Sequence, residues 1–185
     1  MNPPNTSREE IMRVSRKIVS EKGLPALNMR TLAKECGIAL GTLYNYYSDK
    51  DELVVAAIES VWQDILEKSA PDSGVRFSQF VTQTYAHIIE KLKDYPDFLA
   101  AHSISVAGSV KGKARGIMER CFGKIRSELH AALREDKNVD RSIFSETFRE
   151  EDLTEHILDT ITISIINGKP DCATLTEILD RLLYR

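Results

Sequence analysis

The chain reads as all-α: a three-helix N-terminal unit built around a helix-turn-helix, then a larger helical domain, about nine helices together. Three observations predict this. Apolar residues recur at three- and four-residue steps along nearly the whole chain, most of these runs are bounded by a capping residue, a glycine or a proline, and only one short stretch alternates as a strand would. At 185 residues and 42% apolar content the chain can bury a substantial core, as one domain or two small ones.

Ser7-Arg8-Glu9-Glu10 has the pattern of a capping box, in which the Ser7 hydroxyl takes an N3 backbone N–H and Glu10 reaches back to the cap, so a first helix starts at Arg8. Ile11, Val14, Ile18 and Val19 form its inner stripe, Arg13, Arg16 and Lys17 a basic flank, and Gly23 its stop. After the Leu24-Pro25 connector, Asn28 caps a second helix from Met29 to Cys36, with Leu32, Ala33 and Cys36 inward. Gly37 ends it. A third helix begins near Leu40 and lasts about two turns, too short to be stable without packing. Leu43 and Tyr47, four apart, are its anchors, and Ile38 packs from the turn. Ser48-Asp49-Lys50-Asp51 opens a long fourth helix, with Leu53, Val54, Ala57, Ile58, Val61, Trp62, Ile65 and Leu66 at helical spacing.

Pro71-Asp72-Ser73-Gly74 is the clearest break. A fifth helix follows with Phe77, Phe80, Val81, Thr84, Tyr85, Ile88 and Leu92 on one face, and a sixth starts around Pro96 and fades at Gly108. Gly108, Gly112 and Gly116 make residues 108–116 a loose loop or hinge. A seventh helix then aligns Ile117, Met118, Cys121, Phe122, Ile125, Leu129, Ala132 and Leu133, and leaves through the polar stretch Glu135-Asp136-Lys137-Asn138. The β-branched run at 161–166 alternates like a strand. Leu153, Ile157, Leu158 and Ile161 lead into it at helical spacing, and a lone strand would leave its backbone groups unpaired, so Leu153 to Asn167 is expected to be helix. Its second half is apolar nearly all round, which requires contact on more than one side. A last helix, capped by Thr174 with Glu177 three residues on, carries Leu175, Ile178, Leu179, Leu182 and Leu183.

The net charge of −3 conceals an asymmetry: residues 1–50 carry eight basic against five acidic side chains, residues 51–185 seventeen against twenty-three. A basic head on an acidic body fits a chain whose first third meets phosphate. No targeting segment or membrane span is legible, so the expected location is cytoplasmic. Cys36, Cys121 and Cys172 lack the spacing of a zinc site or disulfide framework and read as small packing residues. His87 with Glu90 and His156 with Asp159 could each share a metal, but neither has a matching carboxylate motif, so no metal and no cofactor are expected. An enzyme using His102 or His87 as base would need a phosphate loop, a nucleophile elbow or paired carboxylates, and none is present.

The third helix carries the chemistry. A helix entering the major groove needs small and hydrogen-bonding side chains, because base edges offer donors and acceptors at close range. With Leu43 and Tyr47 inward, Leu40, Gly41, Thr42, Tyr44, Asn45 and Tyr46 remain for DNA. Gly41 allows close backbone approach, Asn45 can pair two-pronged with adenine, and Thr42, Tyr44 and Tyr46 suit phosphate oxygens. Lys50 opposes the N-terminal dipole of the fourth helix, a local cost that makes sense if amine and helix terminus meet one phosphate.

The stretch from Asn28 to Leu53, NMRTLAKECGIALGTLYNYYSDKDEL, strongly resembles the DNA-binding domain of TetR-family transcriptional regulators, over about residues 8–58. Asn28 stands where that family often has Thr, and Ala39 where Ser often caps the recognition helix. The resemblance implies that Arg30, Leu40, Gly41, Thr42, Tyr44, Asn45, Tyr46 and Lys50 match DNA-contacting positions. It further implies a DNA-binding domain over residues 1–50, linked by the fourth helix from 48 to an effector-binding and dimerisation domain over 51–185. The expected protein is a homodimer joined through its last two long helices, a repressor released from a palindromic double-stranded operator by an unknown small molecule. The alternative is a TetR-like activator or a ligand-independent DNA-associated protein. Trp62, Tyr85, His102 and Phe122 are the candidates for lining an effector pocket.

Overall fold

A computed structural model describes residues 6–67, 74–100 and 111–184, by backbone alone at 111–115 and 117–118. Among these residues the chain forms α1 (Arg8–Lys22), α2 (Met29–Glu35), α3 (Leu40–Tyr44), α4 (Lys50–Ile65), α5 (Phe77–Leu92), α6 (Lys111–Glu135), α7 (Glu150–Ile166) and α8 (Ala173–Leu183). Residues 98–100 add a ninth helical segment, and Leu24–Ala26 and Arg141–Ile143 are single 3-10 turns. The fold is all-α, and the described residues contain no strand beyond one isolated bridge between Ser145 and Phe148. Backbone contacts divide the chain into two compact units, residues 1–65 with 92–119 and residues 66–91 with 120–185.

In the first unit the caps do what their chemistry requires. The Ser7 hydroxyl accepts from the Glu10 N–H at 3.2 Å, and the Asn28 side chain accepts from the Thr31 N–H at 3.0 Å. Glu10 does not complete the expected box. Its carboxylate is bidentate with the Arg13 guanidinium, which draws the Glu10 carboxyl below its usual range. Ile11, Val14, Ile18 and Val19 are buried, as are Leu32 and Ala33, whereas Cys36 is only half-buried beyond the end of α2. Gly23 and Gly37 close their helices at φ values of 77° and 66°, where a side chain would be strained. Arg16 departs from the expected basic flank. It bonds the Ser60 hydroxyl and lies 3.8 Å from the Asp64 carboxylate, which also accepts from the Tyr95 hydroxyl at 2.9 Å. Phe98 packs edge-on against Trp62 at 5.7 Å, so α1, α4 and the segment 95–98 share one core.

The rest of the chain corrects three expectations. Gly112 and Gly116 lie inside α6, so residues 111–116 are helix and not part of a loose loop. Each glycine costs a helix about 1 kcal/mol, a weak preference that cooperativity over a long helix overrides. Gly108 and most of the expected sixth helix fall outside the described residues, as do Pro71, Asp72 and Ser73. The polar exit of α6 is not merely a solvated turn. Asp136 is buried and accepts from the Phe77 N–H at 2.8 Å, the Tyr184 hydroxyl at 2.7 Å and both the backbone and side-chain N–H of Asn138. Finally, Thr174 does not cap α8: Cys172 holds that position, and the Asp171 carboxylate accepts from the Ala173 N–H.

The alternating run 161–166 is helical, within α7. Asp152 reaches back to the Arg149 N–H at the start of this helix, and the Arg149 guanidinium holds its carboxyl down at about 2. Leu153, Ile157, Leu158, Ile161 and Ile165 are buried, as are Leu175, Leu179 and Leu183 on α8. Ile163, Ile166, Ile178 and Leu182 are exposed.

Candidate nucleic-acid interface

α3 is shorter than the two turns expected. It holds five residues, and its N-cap, Ala39, offers no side-chain hydrogen bond. The segment therefore depends on tertiary anchors, and Leu43 and Tyr47 supply them at 0% and 2% exposure. Leu43 points inward from the middle of the turn. Tyr47 sits just after it, under the Arg8 guanidinium, whose carbon lies 5.3 Å from the ring centroid. Burial pushes the Tyr47 phenol above its ordinary value.

With those two residues turned inward, the opposite face is open. Gly41, Tyr44 and Asn45 are exposed, Tyr44 to 49%, and Leu40, Thr42 and Tyr46 are half-buried around them. Gly41 has no positive φ, and a Cβ built on it would meet nothing within 4 Å. The fold itself therefore does not demand glycine at this position. Arg30 is exposed in the first turn of α2, and Lys50 is exposed as the first residue of α4. The start of α4 is tightly built. Asp49 accepts from the Glu52 N–H at 2.7 Å, and Glu52 accepts from the Ser48 N–H at 2.7 Å and the Ser48 hydroxyl at 2.8 Å. Lys50 is thereby presented from a fixed helix terminus.

Tyr46 behaves differently from the phosphate-directed residue expected from sequence. Its hydroxyl donates to the Thr6 carbonyl, and its own carbonyl accepts from the Arg8 guanidinium at 2.9 Å. Arg8 was not legible as part of this site, since nothing local links it to residues 38 positions away. Among the described residues, five of the eight cations in the first fifty positions have polar or ionic partners. Arg8 bonds Tyr46, Arg13 pairs with Glu10, Arg16 with Ser60 and Asp64, Lys17 with Glu21, and Lys22 with Glu35. Arg30, Lys34 and Lys50 are exposed and have no such partner there.

Of the four residues expected to line an effector pocket, three lie among the described residues. Trp62 is buried against Phe98 in the first unit. In the second unit Phe122 is half-buried, and Tyr85 is buried with its hydroxyl donating to the Lys169 carbonyl at 2.7 Å. His102 lies outside the described residues. A groove of about 470 Å³ runs along α7 and α8, lined among others by Phe148, His156, Thr160, Leu175, Ile178 and Leu182. His87 is half-buried and His156 exposed. No helix among the described residues is long and apolar enough to cross a membrane.

Comparison with known proteins agrees with this geometry. Residues 11–57 match the family of bacterial regulatory proteins, tetR family. An uncharacterized HTH-type transcriptional regulator of Haemophilus influenzae is 32% identical over 95 residues, half of each chain. The HTH-type transcriptional regulator PksA of Bacillus subtilis is 31% identical over 61 residues, 33% of this chain and 30% of its own. The chain thus spans half or less of the length of these curated relatives. The fold is shared far more widely. The multidrug binding protein EbrR, solved with imidazole, superposes with a TM-score of 0.62 at 18% identity, covering 96% of this chain and 95% of its own. BioQ, solved with its double-stranded DNA operator, gives 0.60 at 16% identity, covering 94% and 95%. These two are likenesses of fold. The family model runs from within α1 through α2 and α3 into α4, so it is this head, residues 11–57, that is similar to the bacterial regulatory proteins of the tetR family.

Proposed function

We propose that the chain is a dimeric DNA-binding transcriptional regulator, a repressor that leaves a palindromic operator when a small molecule binds its body. The observation that carries this reading is the division of α3 into an inner side, pinned by Leu43 and Tyr47, and an outer side of small and hydrogen-bonding residues. In this reading Asn45 reads a base edge, Gly41 lets the backbone approach it, and Leu40 and Thr42 flank that contact. Tyr44, Arg30 and Lys50 hold phosphates and fix the register. Tyr46 serves the site through its neighbours, because its hydroxyl already has a protein partner. Residues 1–50 are the DNA-binding domain and residues 51–185 the effector and dimerisation domain. The setting is the cytoplasm, where operator DNA resides.

The dimer reading rests on exposed apolar surface. Apart from Tyr44, the large hydrophobic residues exposed in the described structure are Ile163, Ile166, Ile178 and Leu182, all on α7 and α8. Such a cluster marks an interaction surface. The groove on the same two helices shares Ile178 and Leu182 with it, so we assign the groove to the dimer seam. Two-fold symmetry of the heads then calls for a palindromic site with half-sites about one helical turn, ~34–36 Å, apart or a multiple of it. An operator-bound protein and a multidrug binding protein both share the fold, which supports pairing DNA recognition with small-molecule control.

The test is selection of a preferred duplex from a random-sequence library by the full chain, followed by gel shift of Tyr44→Ala and Lys50→Ala at moderate salt. Each substitution should abolish the shift at moderate salt, leaving weakened binding measurable at low salt, while the oligomer stays intact. Unchanged binding by both would remove α3 as the reading element. A thermal-shift screen of a compound library tests the effector, since a ligand at a hundred times its Kd stabilises by about 2.7 kcal/mol.

A further inference from the structure

We propose that Arg8 is a positioning residue for the DNA-reading helix, holding the exit of α3 from the first turn of α1. The inference rests on the assignment of α3 as that helix. Five residues with an alanine N-cap have almost no stability of their own. With only Leu43 buried inside the helix proper, rotation about that one anchor would swing Tyr44 and Asn45 away from any base edge. The exit of α3 removes that freedom. The Arg8 guanidinium donates to the Tyr46 carbonyl at 2.9 Å and covers the Tyr47 ring, and the Tyr46 hydroxyl donates to the Thr6 carbonyl. Three contacts over sequence separations near forty residues thus tie the start of α1 to the end of α3. A planar guanidinium can bond a carbonyl with its edge while its face lies on a ring, and a lysine ammonium cannot reproduce both. A cation at a helix C-terminus also complements the carbonyls left unpaired there.

The competing role for an exposed arginine at this place is a phosphate contact, and the two roles separate experimentally. Arg8→Ala, Arg8→Lys and Tyr46→Phe are compared with the unaltered full chain on the library-selected duplex and on a scrambled duplex, across a salt series. Positioning predicts that both Arg8 variants bind the selected duplex about fivefold more weakly, the equivalent of about 1 kcal/mol for one exposed hydrogen bond. It also predicts unchanged binding to the scrambled duplex and an unchanged salt slope. Full rescue by lysine, or a slope reduced by about one per head, would assign Arg8 to a phosphate instead. Hydrogen exchange of the free protein gives a readout independent of DNA. Amides at 43–47 should exchange severalfold faster in Arg8→Ala, and faster also in Tyr46→Phe, while those at 11–19 keep their protection. Unaltered exchange at 43–47 would overturn the proposal. If no duplex is selected at all, the DNA-reading assignment fails, and the exchange data still decide whether Arg8 holds the helix.

Discussion

Gly41→Ala separates what the fold needs from what DNA recognition needs. In the free protein the new methyl meets no atom within 4 Å, and the backbone there is not in the left-handed region. Alanine is favoured over glycine in a helix by up to about 1 kcal/mol, less near an end, so a gain of about 0.5 kcal/mol is expected. For a chain of this size that raises the Tm by roughly 1–2 °C. On DNA the same methyl projects ~1.5 Å from the helix toward the groove floor. Where the backbone lies against base edges, it must push α3 outward and weaken at least one base contact, at about 1–3 kcal/mol, or roughly five- to 150-fold in Kd. Calorimetry or dye-based melting together with fluorescence anisotropy on the selected duplex reads both quantities. A variant that is as stable as the parent, or more so, and binds poorly supports close approach at Gly41. Undiminished affinity would refute it and move the reading surface toward Tyr44 and Asn45.

Three further outcomes follow from particular residues. Asn45→Ala should flatten the preference for one base pair per half-site, by about 1–3 kcal/mol, with little change in binding to scrambled DNA; footprints on point-substituted duplexes measure it. Asp136→Asn should cost about 2–4 kcal/mol, a Tm lowered by roughly 5–12 °C, because one buried carboxylate satisfies donors from Phe77, Asn138 and Tyr184. Burial alone would raise the Asp136 carboxyl, but hydrogen bonds led by the Tyr184 hydroxyl outweigh it and hold the group below its ordinary value, while burial pushes the Tyr184 phenol to about 12. The stabilisation is therefore present above pH ~3.9 and lost as pH falls through the depressed value, so parent and variant melts should converge in acid. Ile163→Glu with Ile178→Glu should turn a dimer into a folded monomer in sedimentation velocity, since both side chains are already more than half exposed; a persisting dimer would place the seam elsewhere.

Features set by neighbouring residues were legible. Ser7 and Asn28 cap where their side chains reach an N–H three positions on, and Leu43 and Tyr47 anchor α3 because their spacing puts both on its inner side. The run 161–166 resolved as helix because β-branching is a weak preference beside the helical spacing that precedes it. Features set by distant partners were not legible. Arg16 reads as surface charge until Ser60 and Asp64 are brought to it, and Asp136 reads as a turn residue until Phe77 and Tyr184 close around it. Glycines misled for a related reason. Gly112 and Gly116 look like a hinge in a local window, yet a helix that runs to Glu135 absorbs their cost. At the site, residue types and the exposed side of α3 could be read from the sequence, whereas the use of Tyr46's hydroxyl and of Arg8 within the protein could not.

The same distinction sharpens the charge argument. Counted along the chain, the first fifty residues carry eight cations, and a phosphate-binding head could use any of them. In the described structure five are engaged within the protein, and Arg30, Lys34 and Lys50 are not. Arg30 and Lys34 are four apart on α2 and share a flank, and Lys50 opens α4, so the unengaged charge lies on the two helices that bracket α3 in the chain. Counterion release scales with the phosphates actually neutralised, at about −0.9 each in the slope of log K against log salt. Three cations predict a slope of about −3 per head, or about −5 for a dimer on both half-sites. A dimer slope nearer about −11 would mean that the exposed pairs, each worth only ~0.2–1 kcal/mol, break to meet DNA and that Arg13, Lys17 and Lys22 belong to the interface. A slope near −5 that falls by about two in the dimer for Lys50→Ala and stays fixed for Lys17→Ala would confine phosphate recognition to the cations flanking α3.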